Sequence, residues 1–492
     1  MKKNVLKILL PFMAVSMLLA CGCGIKQAAA VPTPEPTAYA SPTPVMFSIA
    51  APAAETEKPV LKDPADSVFF TVADPMPEPA LSEETELVPA ADPGPVSSEE
   101  PEPSADPEPV PEAEPEAGPA DSVTIGAVGD IMVMPSQHIA AYNEETGKYS
   151  FLRTFTAMTE MFKATDLMCG NLEGAVAGAK AGYSNGVTDE EGRIRFNAPD
   201  EFAYDLKTVG FDVVTTANNH AGDCEADGMI ATIDTVRAAG LYQTGTYADA
   251  ADREKPLVID VKGFKIGVLA STTVINGTSK LSHKQKDAMF SRLQYTDQIA
   301  HDVELLKNAG AEYIVMFAHW DKEYKSAPQK STRNYAKQLL ELGVDAVIGS
   351  HPHVVQPMTY MDVTRADGSS FRGFVAYSLG NFLSNMTGEC AYELFLSLTL
   401  GRDDSGNVVL EDASYMPVVC YPEEIETVDE KGTKKKVTIH QVIPCLEDAG
   451  LLNLYNGADD KKLAAMRKAR EHVLKVCGES PVPVMEDTCW IS

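Results

Sequence analysis

Five short polar motifs each follow a run of apolar residues, and no other feature constrains the fold of this 492-residue chain as strongly. In chain order they are Gly129-Asp130, Gly170-Asn171-Leu172-Glu173, Ala217-Asn218-Asn219-His220, His319-Trp320 and Gly349-Ser350-His351-Pro352-His353. Near-continuous apolar runs are typical of strands buried on both faces of a sheet. Because ligands collect beyond the carboxyl ends of strands in open α/β sheets, the motifs are predicted to meet at one site.

Strand patterns alternate with helical patterns from Ser122 onward, which predicts an α/β fold. The predicted strands are 123–128, 167–169, 211–216, 264–270, 313–318, 345–348 and 374–378. The predicted helices are 154–163, 201–209, 228–239, 294–309 and 333–342. Beyond these, strands at 393–400, 408–419 and 435–443 and a helix at 459–477 are predicted to pack on the α/β part.

The first 120 residues divide into two segments of different composition. In residues 1–20, three lysines precede an apolar stretch too short for an ordinary membrane span, which is typical of an export signal. Residues 21–120 are rich in Pro and Glu, and residues 31–120 hold 21 of the 33 prolines and a net charge of −17. Because proline breaks helices and like charges repel, this segment is predicted to be an extended, disordered tether.

Charge and cysteine content exclude two classes of function. The formal net charge of −30 disfavours nucleic acid as a partner. The seven cysteines after Cys23 form no Cys-x-x-Cys pair, so a zinc ribbon is not expected. An exported protein can form disulfides, and an odd number leaves at least one cysteine free or paired between chains. A bond between Cys477 and Cys489 is one open pairing.

The residue types in the five motifs predict a metal site. Carboxylate, amide and imidazole donors suit Mn, Fe or Zn, and two such ions about 3.5–4 Å apart activate water and stabilise a phosphoryl transition state. The predicted ligands are Asp130, Asn171, Glu173, Asn219, His319, His351 and His353. His220 follows a predicted ligand directly and is predicted to be the general acid that protonates the leaving oxygen.

With two further motifs, these residues resemble the CapA family over roughly residues 121–400. The further motifs are Glu323-Tyr324, after His319-Trp320, and Tyr377-Ser378-Leu379-Gly380-Asn381-Phe382. The CapA family is linked to poly-γ-glutamate capsule synthesis and is related to calcineurin-like metallophosphoesterases. The resemblance implies a calcineurin-like sandwich of β sheets flanked by helices, with two divalent ions at the motifs.

Three positions depart from the patterns that the resemblance implies. The calcineurin-like pattern is D-x-H, G-D-x-x-D, G-N-H, H and G-H-x-H, and Met132 stands in place of the first histidine. Glu173 is then the carboxylate available to bridge two ions, because Asn171 takes the place of an aspartate. Asp321 follows His319-Trp320 where a glycine is expected.

The N-terminal segment also resembles a known signal. Leu18-Leu19-Ala20-Cys21 resembles the bacterial lipobox, which implies that Cys21 is lipidated and anchors the protein to the cell membrane. The alternative is a cleaved secretory signal that happens to lie beside a cysteine.

Several of these residues also have simpler interpretations. Asp130 can cap a turn or a helix, and Asn171 and Glu173 can support one another instead of both binding metal. His351 and His353 point the same way if the backbone around Pro352 is extended, which suits chelation.

Three further residues have more than one interpretation. Glu323 and Tyr324 are predicted to bind substrate, or Tyr324 packs in the core. Asn381 is predicted to contact substrate or a ligand loop, or it merely ends a strand.

These observations predict four regions: a signal at 1–20, a linker at 21–120, a metallophosphoesterase-like domain at 121–400 and a C-terminal extension at 401–492. The first functional hypothesis is an extracytoplasmic, lipid-anchored metallophosphoesterase-like protein that acts on a phosphorylated or anionic polymer substrate of the cell envelope. Membrane proteins of capsule synthesis are expected partners. The second hypothesis is a non-catalytic accessory in polymer assembly or export, and the third is a solute-binding lipoprotein.

Overall fold

The computed structural model describes residues 121–144, 146–184, 194–278, 280–428, 434–447, 459–478 and 480–486. The predicted signal, the predicted tether, Cys21 and Cys489 lie outside these residues. None of the helices in the described ranges combines the length and the apolar character that crossing a membrane requires.

Sixteen strands are described. They are β1 (Ser122–Ile131), β2 (Tyr142–Asn143), β3 (Lys148–Tyr149), β4 (Leu167–Leu172), β5 (Val213–Thr215), β6 (Tyr242–Thr244), β7 (Val258–Val261), β8 (Phe264–Thr272), β9 (Tyr313–His319), β10 (Ala346–Ser350), β11 (Gln356–Thr364), β12 (Ser370–Ser378), β13 (Asn381–Leu383), β14 (Tyr392–Arg402), β15 (Val408–Val428) and β16 (Lys434–Pro444).

Ten α-helices are described between and after these strands. They are α1 (Pro135–Ala141), α2 (Leu152–Phe155), α3 (Thr159–Lys163), α4 (Glu201–Val209), α5 (Glu225–Ala238), α6 (Ala250–Arg253), α7 (His283–Met289), α8 (Thr296–Asn308), α9 (Lys330–Leu342) and α10 (Asp460–Cys477).

The first sheet joins the start of the domain to its C-terminal part. Its strand order among the described residues is β16-β15-β14-β1-β4-β5-β6, with β13 paired to the end of β1. The β1, β4, β5 and β6 strands run parallel, whereas β14 is antiparallel to β1. The strands after residue 400 therefore continue the sheet that carries the first three motifs.

The second sheet carries the two histidine motifs. Its order is β11-β12-β10-β9-β8-β7, and the central strands β12, β10, β9 and β8 run parallel. The outer strands β11 and β7 are antiparallel to their neighbours. In register, Ser350 lies opposite His319, so the ends of β9 and β10 are level.

Alternate residues of the second sheet face different layers. In β9, Val315 and Phe317 belong to the large apolar core that also contains the strands of the first sheet. Met316 belongs instead to a core that contains Val303 of α8 and Leu339 of α9. This period of two is what a strand covered on both faces requires. The predicted α/β class, with sheets flanked by helices, is confirmed.

Several helix ends follow local sequence signals. The predicted helix 201–209 matches α4, which ends where Gly210 takes a left-handed φ of 114°. The predicted helix 154–163 is wrong in one respect, because it forms the two short helices α2 and α3. Between them, the Thr156 hydroxyl bonds to the carbonyls of Leu152 and Arg153, a side-chain contact that competes with the helical ladder.

Six strands were not predicted from the sequence: β2, β3, β6, β7, β11 and β13. Three of these, β6, β7 and β11, lie at the edges of the two large sheets and contain partly or fully exposed residues, so their apolar pattern is weak. A two-residue turn, Lys262-Gly263, joins β7 to β8, and both residues have positive φ.

Phe382 tests the packing of the large core. Its side chain is fully buried and its ring centroid lies 5.8–6.2 Å from those of Phe155, Phe162 and Phe211. Phe382→Ala should lower the free energy of unfolding in urea by about 3–5 kcal/mol, because it leaves a cavity among these rings. Tyr204→Ala, at a position 49% exposed on α4, should change it by less than about 1 kcal/mol. Equal losses in the two variants would contradict this packing.

Candidate metal centre

Ionisable side chains from both sheets meet beyond the carboxyl ends of the central strands. Asp130 lies at the end of β1 and His319 at the end of β9. Oδ1 of Asp130 is 3.7 Å from Nδ1 of His319, and Oδ2 of Asp130 is 3.4 Å from Nδ1 of His353. Nε2 of His319 lies 3.9 Å from Oε1 of Glu173, the residue after β4. All four side chains are buried. The strand-end motifs of the two sheets therefore form one cluster.

Three overlapping groups of side chains in the described part of the chain have ligand atoms within 4.8 Å of one another. One group is Asp130, Glu173 and His353, and a second is Glu173, His319 and His351. Glu173 belongs to both, which is the arrangement that a bridging carboxylate requires. The third group joins Glu323 to His351 and His353.

Glu173 is the clearest sign that this cluster fits a cation. Both of its carboxyl oxygens are buried without a hydrogen-bond partner, and so is Nδ1 of His351. Burial raises the pKa of Glu173, and the charge of Asp130 raises it further, well above its usual range. Since buried polar atoms are nearly always partnered, unpartnered oxygen and nitrogen donors in one cluster fit Mn, Fe or Zn.

Asp130 is held as an anion by its neighbours. Nδ2 of Asn171 donates to Oδ1 of Asp130 at 2.7 Å, and the backbone N–H of His351 donates to Oδ2 at 3.0 Å. Burial alone would raise the pKa of Asp130, but the hydrogen bond with His353 and the nearby imidazoles hold it well below its usual range. Asn171 therefore supports the Asp130 carboxylate.

The three imidazoles differ in their protonation. Burial lowers the pKa of His319 and of His351, and each neighbouring imidazole lowers it further. Burial also lowers the pKa of His353, but Glu173 and Asp130 outweigh this effect and raise it to about 10. Neutral imidazole is the form that binds metal, so His319 and His351 need lose no proton to do so.

Asn219 and His220 lie at the edge of the cluster. Oδ1 of Asn219 is 2.9 Å from Nε2 of His319. Nδ1 of His220 bonds to Oδ2 of Asp223 at 2.7 Å, and the same oxygen accepts the backbone N–H of Phe196. The Phe196 ring also packs edge-on against the His220 ring, with centroids 4.4 Å apart. Asp223 and Phe196 thus orient the imidazole, and Nε2 takes no part in the hydrogen bond to Asp223.

The three predicted substrate-binding residues have different surroundings. Asn381 is fully buried, and its Oδ1 accepts a hydrogen bond from Nδ1 of His353 at 2.8 Å, so it orients that imidazole. Tyr324 is 55% exposed and its ring centroid is 5.9 Å from that of His353, which leaves it available to a substrate. Glu323 lies with His351 and His353 in the third donor group.

The backbone beside the histidines is strained. His351 has φ 95° and His353 has φ 58°, so the segment around Pro352 is not extended, yet the two rings lie 5.8 Å apart. Asp321, at the position where a glycine was expected, has φ 74°. Non-glycine residues in this region cost of order 1–3 kcal/mol each and concentrate at functional sites.

Two supporting residues were not predicted. Ser350 lies 2.9 Å from Nδ1 of His319 through its hydroxyl, and its place inside the Gly349 to His353 motif was the available signal. Glu393 is fully buried and accepts the backbone N–H of Gly129 at 3.1 Å. A glutamate inside the apolar run of β14 was the signal for this second contact.

Comparison with known proteins identifies the family. The model of the family described as "Bacterial capsule synthesis protein PGA_cap" matches residues 124–386, which is more than half of the chain. The chain belongs to the PGA_cap family. The matched residues include all five strand-end motifs as well as Glu323, Tyr324 and Asn381.

Individual PGA_cap relatives are distant. The chain is 26% identical over 264 residues to "Capsule biosynthesis protein CapA" of Bacillus anthracis, a match that covers 54% of this chain and 60% of that protein. It is 27% identical over 264 residues to "PGA biosynthesis protein CapA" of Bacillus subtilis, covering 54% and 63% of the two chains. The match thus spans less than two thirds of the length of these relatives.

A solved structure also matches this PGA_cap protein. It is the calcineurin-like phosphoesterase YfkN from Bacillus subtilis, with 12% sequence identity and a TM-score of 0.35. The match covers 72% of this chain and 98% of that chain.

The cluster predicts a pH dependence of the metal-free protein. Glu173 and His353 bind more protons in the folded than in the unfolded chain above neutral pH, because the pKa of each is raised. A group whose pKa is higher in the folded than in the unfolded chain stabilises the folded state at low pH. This contribution is lost as the pH rises through the pKa of the folded state. In EDTA, the free energy of unfolding should therefore fall between pH 7 and 8.5, by up to about 1.4 kcal/mol per pH unit.

The matched variant is the double substitution Glu173→Gln with His353→Gln, which removes both titrating groups. Its unfolding free energy, measured by urea denaturation, should change less over the same range. The same slope in wild type and double variant would show that this pair does not carry the effect.

Proposed function

We propose that this PGA_cap protein is an extracytoplasmic, lipid-anchored, metal-dependent phosphoesterase-like protein of envelope or capsule polymer synthesis. The observation that carries the metal site is Glu173, a buried carboxylate with two unpartnered oxygens that is shared by two groups of donors. The names of the relatives, capsule and PGA biosynthesis proteins, support poly-γ-glutamate as the polymer. The substrate would be a phosphorylated or anionic intermediate of that polymer.

The proposed ion positions follow the donor groups. Asp130, Glu173 and His353 would hold one divalent ion, and Glu173, His319 and His351 would hold the second, with Asn219 beside it. The bound ions would supply a Lewis acid that polarises a phosphoryl oxygen and lowers the pKa of water. Asp130 needs no proton removed to act as a ligand, because its neighbours already keep it ionised.

His220 would protonate the leaving oxygen. In the protonated ring, Asp223 would accept the Nδ1 proton of His220, and the Nε2 proton would be the one donated. Asp223 is itself oriented by the Phe196 N–H, and the Phe196 ring limits rotation of the imidazole. Asp223 would therefore give the acid form of His220 an anionic acceptor at Nδ1 and a fixed orientation.

The lipid anchor is proposed from the sequence alone. An apolar stretch that ends in Leu18-Leu19-Ala20-Cys21 supports export and lipidation of Cys21. The acidic, proline-rich residues 21–120 would then give the domain reach from the membrane toward polymer-synthesising membrane proteins.

A second function, non-catalytic support of polymer assembly or export, is favoured by one observation. Met132 stands where the calcineurin-like pattern has a histidine ligand, and its side chain is buried in an apolar cluster with Met134 and Phe196. A site that lacks this ligand can bind an anionic polymer without hydrolysing it.

Metal content and turnover test the proposed function. The full chain, purified in detergent and loaded with Mn²⁺, should contain about two ions per chain by mass spectrometry and hydrolyse a phosphomonoester or phosphodiester. The double substitution His351→Ala with His353→Ala should abolish metal binding, since one of these side chains belongs to each ion position. Full metal content in the double variant would contradict the site, and metal without turnover would favour the accessory function.

Asp223→Asn tests the role of His220. The variant should lower kcat by up to about 100-fold, because a neutral amide no longer gives the Nδ1 proton of the protonated ring an anionic acceptor, while Mn²⁺ content stays at the wild-type level. The control is Asp227→Asn, an equal charge change at an exposed position in the first turn of α5. Loss of bound Mn²⁺ in Asp223→Asn would instead assign Asp223 to the metal site.

A further inference from the structure

One ion position of the proposed metal site has one donor fewer than the calcineurin-like pattern provides. The calcineurin-like pattern places a histidine two residues after the first aspartate, and this chain has Met132 there. The Met132 thioether is 1% exposed and belongs to the apolar cluster with Met134 and Phe196. A thioether is a soft donor that suits copper rather than Mn²⁺ or Zn²⁺. The ion beside Asp130 and His353 would therefore have one protein donor fewer than that pattern gives.

Glu323 lies where it can supply that ligand. Its carboxylate, an imidazole nitrogen of His351 and one of His353 all lie within 4.8 Å of one another. Nδ1 of His351 is buried and has no hydrogen-bond partner, which independently indicates that a ligand is expected at this point. Glu323 is only partly exposed, unlike its neighbours Lys322 and Tyr324.

The turn that carries Glu323 is held against the histidine loop. The backbone N–H of Tyr324 donates to the carbonyl of Pro352 at 2.8 Å, between the two histidines. On the other side, Nε2 of the buried Gln356 donates to the carbonyl of Lys325 at 2.7 Å and to Oδ2 of Asp321 at 3.2 Å. These bonds fix the position of Glu323 relative to His351 and His353 before any ion binds.

The two acidic residues of this turn have different roles. Asp321 also accepts the backbone N–H groups of Lys322 and Gln329, so its carboxylate is used within the turn. Both Asp321 and Tyr324 have positive φ, and this backbone cost is typical of a segment shaped for function. Of the two acidic side chains in this turn, Glu323 is the one that belongs to a donor group.

We propose that Glu323 is a metal ligand that acts with His353 in place of the histidine absent at Met132. This inference rests on the proposed metal-dependent function and replaces the substrate-binding role predicted for Glu323. A carboxylate there also adds a negative charge to the site, which favours hard divalent ions such as Mn²⁺.

Mn²⁺ binding by the metal-free full chain tests this ligand. Isothermal titration and mass spectrometry of wild type should give two ions per chain. In Glu323→Gln, one of these two ions should bind at least about tenfold more weakly. Glu323→His should keep two ions, because it restores an imidazole donor. Glu304→Gln, the same charge change at an exposed position on α8, should match wild type. The rise in Tm with added Mn²⁺ should follow the same order.

The outcomes separate this inference from the function on which it rests. Two ions of wild-type affinity in Glu323→Gln, with wild type also binding two, would overturn the ligand role and leave the metal site intact. If KM then rose while metal content did not change, Glu323 would be a substrate-binding residue instead. Failure of wild type to bind Mn²⁺ would overturn both the ligand role and the proposed function.

Discussion

The close approach of two buried carboxyl groups, Asp130 and Glu173, is the interaction on which the site depends. Neighbouring strands β1 and β4 bring them to one place, and the charge of Asp130 raises the pKa of Glu173. Hydrogen bonds from Asn171 and His351 satisfy Asp130, but both oxygens of Glu173 have no partner. A divalent cation would resolve this imbalance, because these carboxylates could hold it and its positive charge would offset theirs.

The fold supplies this arrangement through two sheets whose strand ends meet. The first sheet brings carboxylate and amide groups, and the second brings imidazoles at the ends of β9 and β10. Supporting residues then restrict the donors: Asn381 orients His353, Ser350 orients His319 and Asp223 orients His220. Rigid strands and these hydrogen bonds together hold the candidate donor atoms close to one another, as a metal site would require.

The sequence predicted the parts that have a strong periodic or positional signal. Buried parallel strands such as β9 read as continuous apolar runs, and a polar residue at the end of such a run is conspicuous, as at His319. Edge strands such as β11 and contacts that depend on three dimensions lack such a signal. The hydrogen bond from Gly129 to Glu393 spans 264 residues, and the positive φ of His351 follows from the surrounding packing. The position of Glu323 beside His351 and His353 likewise depends on the three-dimensional fold and has no signal in the sequence.

The most direct test of the two-position metal site is a crystal structure of the protein grown with Mn²⁺, with anomalous difference maps recorded at the manganese edge. Two peaks are expected on either side of Glu173, one within bonding distance of Asp130 and His353 and the other within bonding distance of His319 and His351. The absence of anomalous density at these side chains, with Glu173 still buried and unpartnered, would contradict the account.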